Sequence, residues 1–263
     1  MSDHPLNQSV RITVCEFPDE QEFKERAWAA LANYVGAVGP NIVILPEMPF
    51  CDWIFVGDAI DNALWRKAVE QHDAMIARLS ELACRWIMSS RPVEENGRHF
   101  NEAFIWSAND GYRPVRRKWY LPEAPIARER SGLIRETFAP VRLDTMCVGF
   151  QLCSEMMFTE HAQDMGFDGA HLVVQPGRAD MLRVGGSLRK MSAIASGGYV
   201  ASANRRSLRR DHFAGGSWVL SPDAHALYET TKERPFAPAE IDLAAAERAK
   251  HQYPRDLYRR YRV

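Results

Sequence analysis

Short apolar, strand-like runs alternate with amphipathic stretches along nearly the whole chain, and this alternation restricts the fold more than any other feature. Runs at residues 10–14, 41–45, 86–89, 103–107, 112–119, 170–174, 199–203, 217–220 and 226–229 read as strands. Stretches at 20–35, 62–82, 159–165 and 188–196 read as helices, with apolar positions near a 3.6-residue period in the longer ones. Asn96-Gly97 and Asn109-Asp110-Gly111 are turn signals, so 86–119 is expected as an antiparallel meander. Ser221-Pro222-Asp223-Ala224 turns the last strand pair. Strands interleaved with helices and hairpins predict a mixed sheet, or two packed sheets with helices outside: an α/β layered sandwich.

No repeat, low-complexity segment or linker divides the 263 residues, so residues 1–263 are expected to form a single domain. The formal net charge of -1 supplies no general attraction to nucleic acid or an anionic membrane. Five cysteines, an odd number without CxxC spacing, argue against a disulfide framework and for a reducing compartment. The start Met-Ser-Asp-His-Pro shows no basic-then-apolar secretory pattern. No apolar stretch approaches the ~18 residues of a membrane span. The expectation is a cytoplasmic protein whose partner is a small molecule. The histidines form no HxxxH, HExxH or HxH pattern, so neither a metal nor another cofactor is expected.

Three segments end in reactive side chains. They are Ile44-Leu45-Pro46-Glu47-Met48, Arg117-Lys118-Trp119-Tyr120-Leu121-Pro122 and Gly149-Phe150-Gln151-Leu152-Cys153-Ser154-Glu155. Taken singly, a cysteine after a strand is usually a small buried hydrophobe, and a glutamate after Leu-Pro a surface turn residue. Together they read differently, because α/β folds build their sites at the C-terminal ends of strands. A carboxylate that can take the thiol proton makes Cys153 a nucleophile, and an adjacent ammonium stabilises first the thiolate and then an oxyanion. A Cys–His arrangement is the competitor, but neither His161 nor His171 is placed at a strand end facing Cys153.

With these motifs in order, 71 residues from Glu47 to Lys118 and 35 from Lys118 to Cys153, the chain resembles the nitrilase (carbon–nitrogen hydrolase) superfamily. Supporting matches include Asn101, Gly169-Ala170, the 199–204 segment and Gly216-Ser217-Trp218. The resemblance implies a four-layer αββα sandwich that pairs into a homodimer or higher homo-oligomer. It implies Cys153 as nucleophile, Glu47 as general base and Lys118 as the oxyanion-stabilising cation. A second glutamate is implied eleven residues beyond the lysine, at Glu129, with Glu123 and Glu136 as competitors. The implied reaction is attack on an amide or related carbon, loss of ammonia or an amine, and hydrolysis of a thioester. The second oxyanion donor is the N–H beside the lysine or that of Ser154.

The chain departs from true nitrilases in carrying Ser154 where they place Trp, which shifts the expected substrate from a nitrile to an amide or N-carbamoyl amine. A nitrile-hydrolysing enzyme, a non-catalytic regulatory or binding member of the same fold, and an acyltransferase remain as alternatives. Phe50, Trp53 and Trp119 are candidate pocket walls, with core packing the equal reading. Glu155 is either an acceptor for a substrate amine or a carboxylate bonded to backbone. Arg178, with Arg183 beside it, lies where family members contact substrate. The cluster Arg205-Arg206-Ser207-Leu208-Arg209-Arg210 is either a solvated or subunit-contacting loop or a site for an anionic group. The basic, aromatic tail from residue 251 is expected to pack on a partner or on its own surface.

Overall fold

The computed structural model describes residues 9–55, 61–119, 137–178, 182–209 and 212–261. Its centre is a set of buried parallel strands. β1 (Ser9–Pro18) pairs in parallel with β2 (Ile42–Glu47), and β2 with β3 (Trp86–Glu95). β7 (Met146–Phe150), β8 (Leu172–Arg178) and β9 (Tyr199–Arg206) repeat this parallel arrangement. Each set is flanked by antiparallel strands. On the first, β4 (Arg98–Ser107), β5 (Gly111–Arg117) and β12 (Phe236–Asp242) extend the edges. On the second, β6 (Val141–Leu143), β10 (Trp218–Leu220) and β11 (Ala226–Glu229) do the same. The orders are β5-β4-β3-β2-β1-β12 and β6-β7-β8-β9-β10-β11, and the C-terminal end of β1, Glu16 to Pro18, joins them by pairing with Asn204 to Arg206.

Side-chain alternation along the strands produces the layers. In β2, Ile42 and Ile44 face the other sheet, where they join Val148, Phe150, Leu172, Val174, Ala201 and Val219. Val43 and Leu45 point the opposite way, onto Trp28, Leu31 and Val35 of α1 (Lys24–Val38). β8 is built alike: Leu172 and Val174 face inward, and Val173 faces Met165 and Ala193. Those two residues belong to α3 (Thr159–Phe167) and α4 (Leu182–Ser196). The result is the expected helix–sheet–sheet–helix sandwich. No helix among the described residues is long and apolar enough to cross a membrane.

Local chemistry sets the helix ends. Gly39 closes α1 in the left-handed conformation, φ 63°, and its N–H bonds to Val35 O at 2.8 Å. Asp61 caps α2 (Asn62–Ile76) by accepting the N–H groups of Ala63 and Leu64. That helix stops at Ile76 rather than near residue 82, and a 3₁₀ turn, Leu79–Glu81, follows it. The sequence reading omits β6, β12 and α5 (Leu243–Lys250). In β12, Pro235 precedes the strand and Pro238 interrupts it, and only Ile241 is β-branched, so its strand pattern is weak. The tail packs on its own chain: from α6 (Arg255–Tyr261), Arg255 donates to the carbonyls of Ile194 (2.7 Å), Pro222 (2.7 Å) and Ala249 (3.3 Å).

Candidate active site

Glu47 is the last residue of β2 and is fully buried. Its Oε1 accepts from Lys118 Nζ at 2.8 Å and from Asn101 Nδ2 at 2.7 Å. Its Oε2 is buried and receives no hydrogen bond from the described residues. A buried carboxylate oxygen left without a donor is costly, and such an atom in a native structure calls for a chemical explanation.

The chain turns away at once, with Met48 in the left-handed region at φ 45°. Arg205 pins this turn from below. Its fully buried guanidinium donates to Glu47 O (3.3 Å), to Met48 O and to Cys51 O (2.5 Å), and pairs with Asp19 at 2.6 Å. His72 adds a second tie, its Nε2 accepting Phe50 N–H at 3.4 Å while Nδ1–H donates to Ala68 O at 2.7 Å. Burial pulls the His72 pKa down to about 3, so the ring is neutral.

Lys118 follows β5, an edge strand whose middle faces solvent, not the apolar strand expected. It is nevertheless buried. Its N–H bonds to Asn101 O at 2.7 Å, so Asn101 holds both Glu47, through its side chain, and Lys118, through its backbone. Burial opposes the charge on Lys118, but Glu47, Cys153 and Glu155 outweigh it and raise the pKa above the ordinary lysine value. The ammonium stays protonated across neutral pH.

Cys153 begins the 3₁₀ turn Cys153–Met157 just beyond β7, is 5% exposed, and takes φ 49°. A non-glycine residue held in that region is strained, and such residues cluster at functional sites. Two polar ties brace the turn. Gln151 Nε2 donates to Glu155 O (3.2 Å) and Phe158 O (3.1 Å), while its Oε1 accepts from Gln175 Nε2 at 2.8 Å. Gln151, unexplained by sequence, thus belongs to a polar layer behind the thiol. Gly177, at the end of β8, lies so close that an added Cβ would come 3.7 Å from Cys153 Cα.

Glu155 is fully buried, and every bond it makes is to protein. Oε1 accepts from Trp119 N (2.6 Å) and Arg116 Nη2 (3.0 Å), and Oε2 from Arg116 Nη1 (2.6 Å) and Leu152 N (2.8 Å). These bonds are those of the backbone-bonded carboxylate, one of the two readings of Glu155. The Trp119 N–H, one of two candidate oxyanion donors, is directed to Glu155. Phe50 packs among Phe17, Trp28 and His72, with ring centroids 5.3–6.1 Å away, which is the core-packing reading of this residue. Trp53 lies against Phe55 and Phe213 and over the Arg205 guanidinium, 5.5 Å from it. Trp119 and Ser154 are half-buried, one residue after Lys118 and Cys153 respectively.

His171 accepts Cys147 N–H at 2.9 Å and faces Glu247 at 2.9 Å, and His161 stacks on Phe138 at 3.8 Å. Glu129, Glu123 and Glu136 lie outside the described residues, as do the side chains of Arg178 and Arg183. Of the arginine cluster, Arg205 is wholly internal, Arg206 pairs with Glu16, and Arg209 meets Glu22 at the surface, 2.6 Å away. Nothing in the residue pattern separates Arg205 from its neighbours; its place as the penultimate residue of β9 is the only signal, and it requires the full strand length to be known.

The structure therefore brings Glu47, Lys118 and Asn101 into direct contact, with Cys153 close enough to influence Lys118. The profile of the carbon-nitrogen hydrolase family matches residues 12–251. The chain is 27% identical over 179 residues to the omega-amidase NIT2 of Pongo abelii; the match covers 64% of this chain and 65% of that protein. In three dimensions it is similar to a carbon-nitrogen hydrolase from Helicobacter pylori G27, with TM-score 0.81, 18% identity and 97% of each chain covered. It is also similar to a mutant of the amidase from Nesterenkonia sp. AN1, with TM-score 0.70, 20% identity and 98% of each chain covered. In that structure the acetamide moiety of fluoroacetamide is covalently added at the active-site cysteine.

Proposed function

The chain belongs to the carbon–nitrogen hydrolase family, and we propose that it hydrolyses a non-peptide C–N bond in a small amide or N-carbamoyl amine. Cys153 is the nucleophile, Glu47 the general base and Lys118 the cation that stabilises the oxyanion. Glu47 takes the thiol proton, and the thiolate sulfur attacks the carbonyl carbon. Lys118 and a backbone N–H meet the negative charge that develops on oxygen. The tetrahedral intermediate collapses as the C–N bond breaks, and Glu47 returns the proton to the departing ammonia or amine. Water, deprotonated by Glu47, then attacks the thioester and releases the acid and the thiol.

The observation that carries this reading is the divided carboxylate of Glu47. One oxygen is held by Lys118 and Asn101; the other is buried with no donor among the described residues. A general base needs such an oxygen, oriented but uncommitted. The amide class is favoured by Ser154 in place of the nitrilases' Trp and by the amidase names of the relatives. We further propose Glu129 as the second glutamate, with Trp119, Ser154 and Arg178 as substrate contacts. The protein is read as a cytoplasmic homodimer, the dimer being testable by light scattering on the purified chain.

Ammonia release from a panel of amides, N-carbamoyl amines and nitriles tests the substrate class. Release from amides or carbamoyl compounds, abolished in Cys153→Ala, is expected. Turnover that survives Cys153→Ala would remove the nucleophile assignment, and turnover of nitriles alone would remove the substrate class.

A further inference from the structure

Glu155 has four protein donors on two oxygens, and those donors come from either side of the reacting pair. Arg116 is two residues before Lys118 and Trp119 is one residue after it; Leu152 is one residue before Cys153 and Glu155 is two after it. The side chains of Arg116 and Glu155 are 3% and 0% exposed, so the bidentate pair lies out of water. Phe138 covers the guanidinium, 3.9 Å from its carbon, and is itself stacked on His161. A carboxylate two residues from a thiol opposes thiolate formation by like charge. Here the arginine fork cancels that charge and leaves the two backbone bonds intact.

We propose that Arg116 and Glu155 are a positioning pair that sets the placement of Lys118 relative to Cys153 and shields the thiol from the Glu155 charge. The proposal rests on the assignment of Lys118 and Cys153 given above. Neither residue touches substrate. The carboxylate is a bracket between two loops, holding the lysine loop through Trp119 N–H on one oxygen and the cysteine loop through Leu152 N–H on the other. An arginine rather than a lysine suits the position because only a planar fork engages both oxygens at once.

The test measures ammonia release from butyramide and alkylation of Cys153 by iodoacetamide in Arg116→Lys, Glu155→Gln, the double variant and Lys118→Ala, with circular dichroism to verify folding. Glu155→Gln is expected to lower kcat about a hundredfold and leave KM within about threefold, as loss of alignment does. Its alkylation profile should move to lower pH, because Arg116 then faces the thiol unneutralised. Arg116→Lys, which keeps the charge and loses the fork, should lower kcat about tenfold, and the double variant should be no worse than the poorer single.

A raised KM with intact kcat in Glu155→Gln would make Glu155 a substrate contact and overturn the proposal. So would additive losses in the double variant, an unmoved alkylation profile, or wild-type kcat in folded Arg116→Lys. If Glu155→Gln does not fold, Arg116→Lys decides by its kcat and KM. If wild type leaves butyramide unchanged, alkylation decides through its pH profile. Retained turnover in Lys118→Ala would instead overturn the underlying catalytic reading; its loss, beside an unaffected Arg116→Lys, would overturn the pair alone.

Discussion

Glu47 at the end of β2 and Glu155 in the turn after β7 are both fully buried carboxylates with a cationic neighbour, yet their surroundings differ. Glu155 is saturated: two backbone N–H groups and both ends of one guanidinium consume its oxygens. Glu47 is half-served, with Lys118 and Asn101 sharing one oxygen and the other without a donor among the described residues. Burial alone therefore does not mark a reactive acid. The count of donors does, because a saturated carboxylate has lost the lone pairs that proton transfer needs.

The comparison is broken most directly at Glu47. Glu47→Gln keeps the shape and the Asn101 contact but not the basicity, and we expect kcat to fall about three orders of magnitude in an ammonia-release assay. A loss under tenfold would mean that the unserved oxygen is not the base. The next largest effect belongs to the scaffold behind it. Arg205→Met leaves Asp19 without its buried partner and frees four carbonyls, and should cost about 3–5 kcal/mol in a urea titration. Arg209→Ala, at the surface, should leave the midpoint unmoved.

Smaller effects sharpen the picture. Asn101→Ala removes one donor from Glu47 while its backbone carbonyl still holds Lys118, so kcat should drop about tenfold, equivalent to one hydrogen bond. A further effect, absent at neutral pH, concerns acid stability. His72 stays neutral in the fold down to about pH 3, whereas in the unfolded chain it takes up a proton near 6.5. Its contribution is complete above pH 6.5 and is lost as pH falls from 6.5 toward 3, with a limiting slope of about 1.4 kcal/mol per pH unit. His72→Gln, followed by urea titration at several pH values, should flatten that acid limb; an unchanged slope would assign the acid sensitivity elsewhere.

The sequence makes the architecture legible where hydrophobic period and turn chemistry agree, as in β2, β8 and the meander from β3 to β5. It hides β12, whose prolines and short side chains resemble a loop until β1 is there to pair with it. Glu47, Lys118 and Cys153 are legible as candidates because each closes a distinctive motif. Their supports are not: Asn101, Arg116 and Arg205 act on residues 54, 39 and up to 186 positions away, and a linear pattern carries no distance information. Phe50 is ambiguous in sequence for the same reason. An aromatic residue three positions after Glu47 reads equally as a pocket wall or as core, and after the left-handed turn at Met48 it joins the core cluster with Phe17 and Trp28.

β1 belongs to both sheets, and that membership orders events in time. Its early partner β2 follows within the same portion of the chain, whereas β9 and β12 are made only after residue 199. A chain emerging from the ribosome therefore holds β1 with one edge unfilled until residues beyond 199 have been made, and closing such distant pairs is slow. Arg205 arrives with β9, so until then the turn carrying Glu47 has the His72 tie but not the guanidinium. The seam that joins the sheets thus also delivers the guanidinium that holds the turn carrying Glu47.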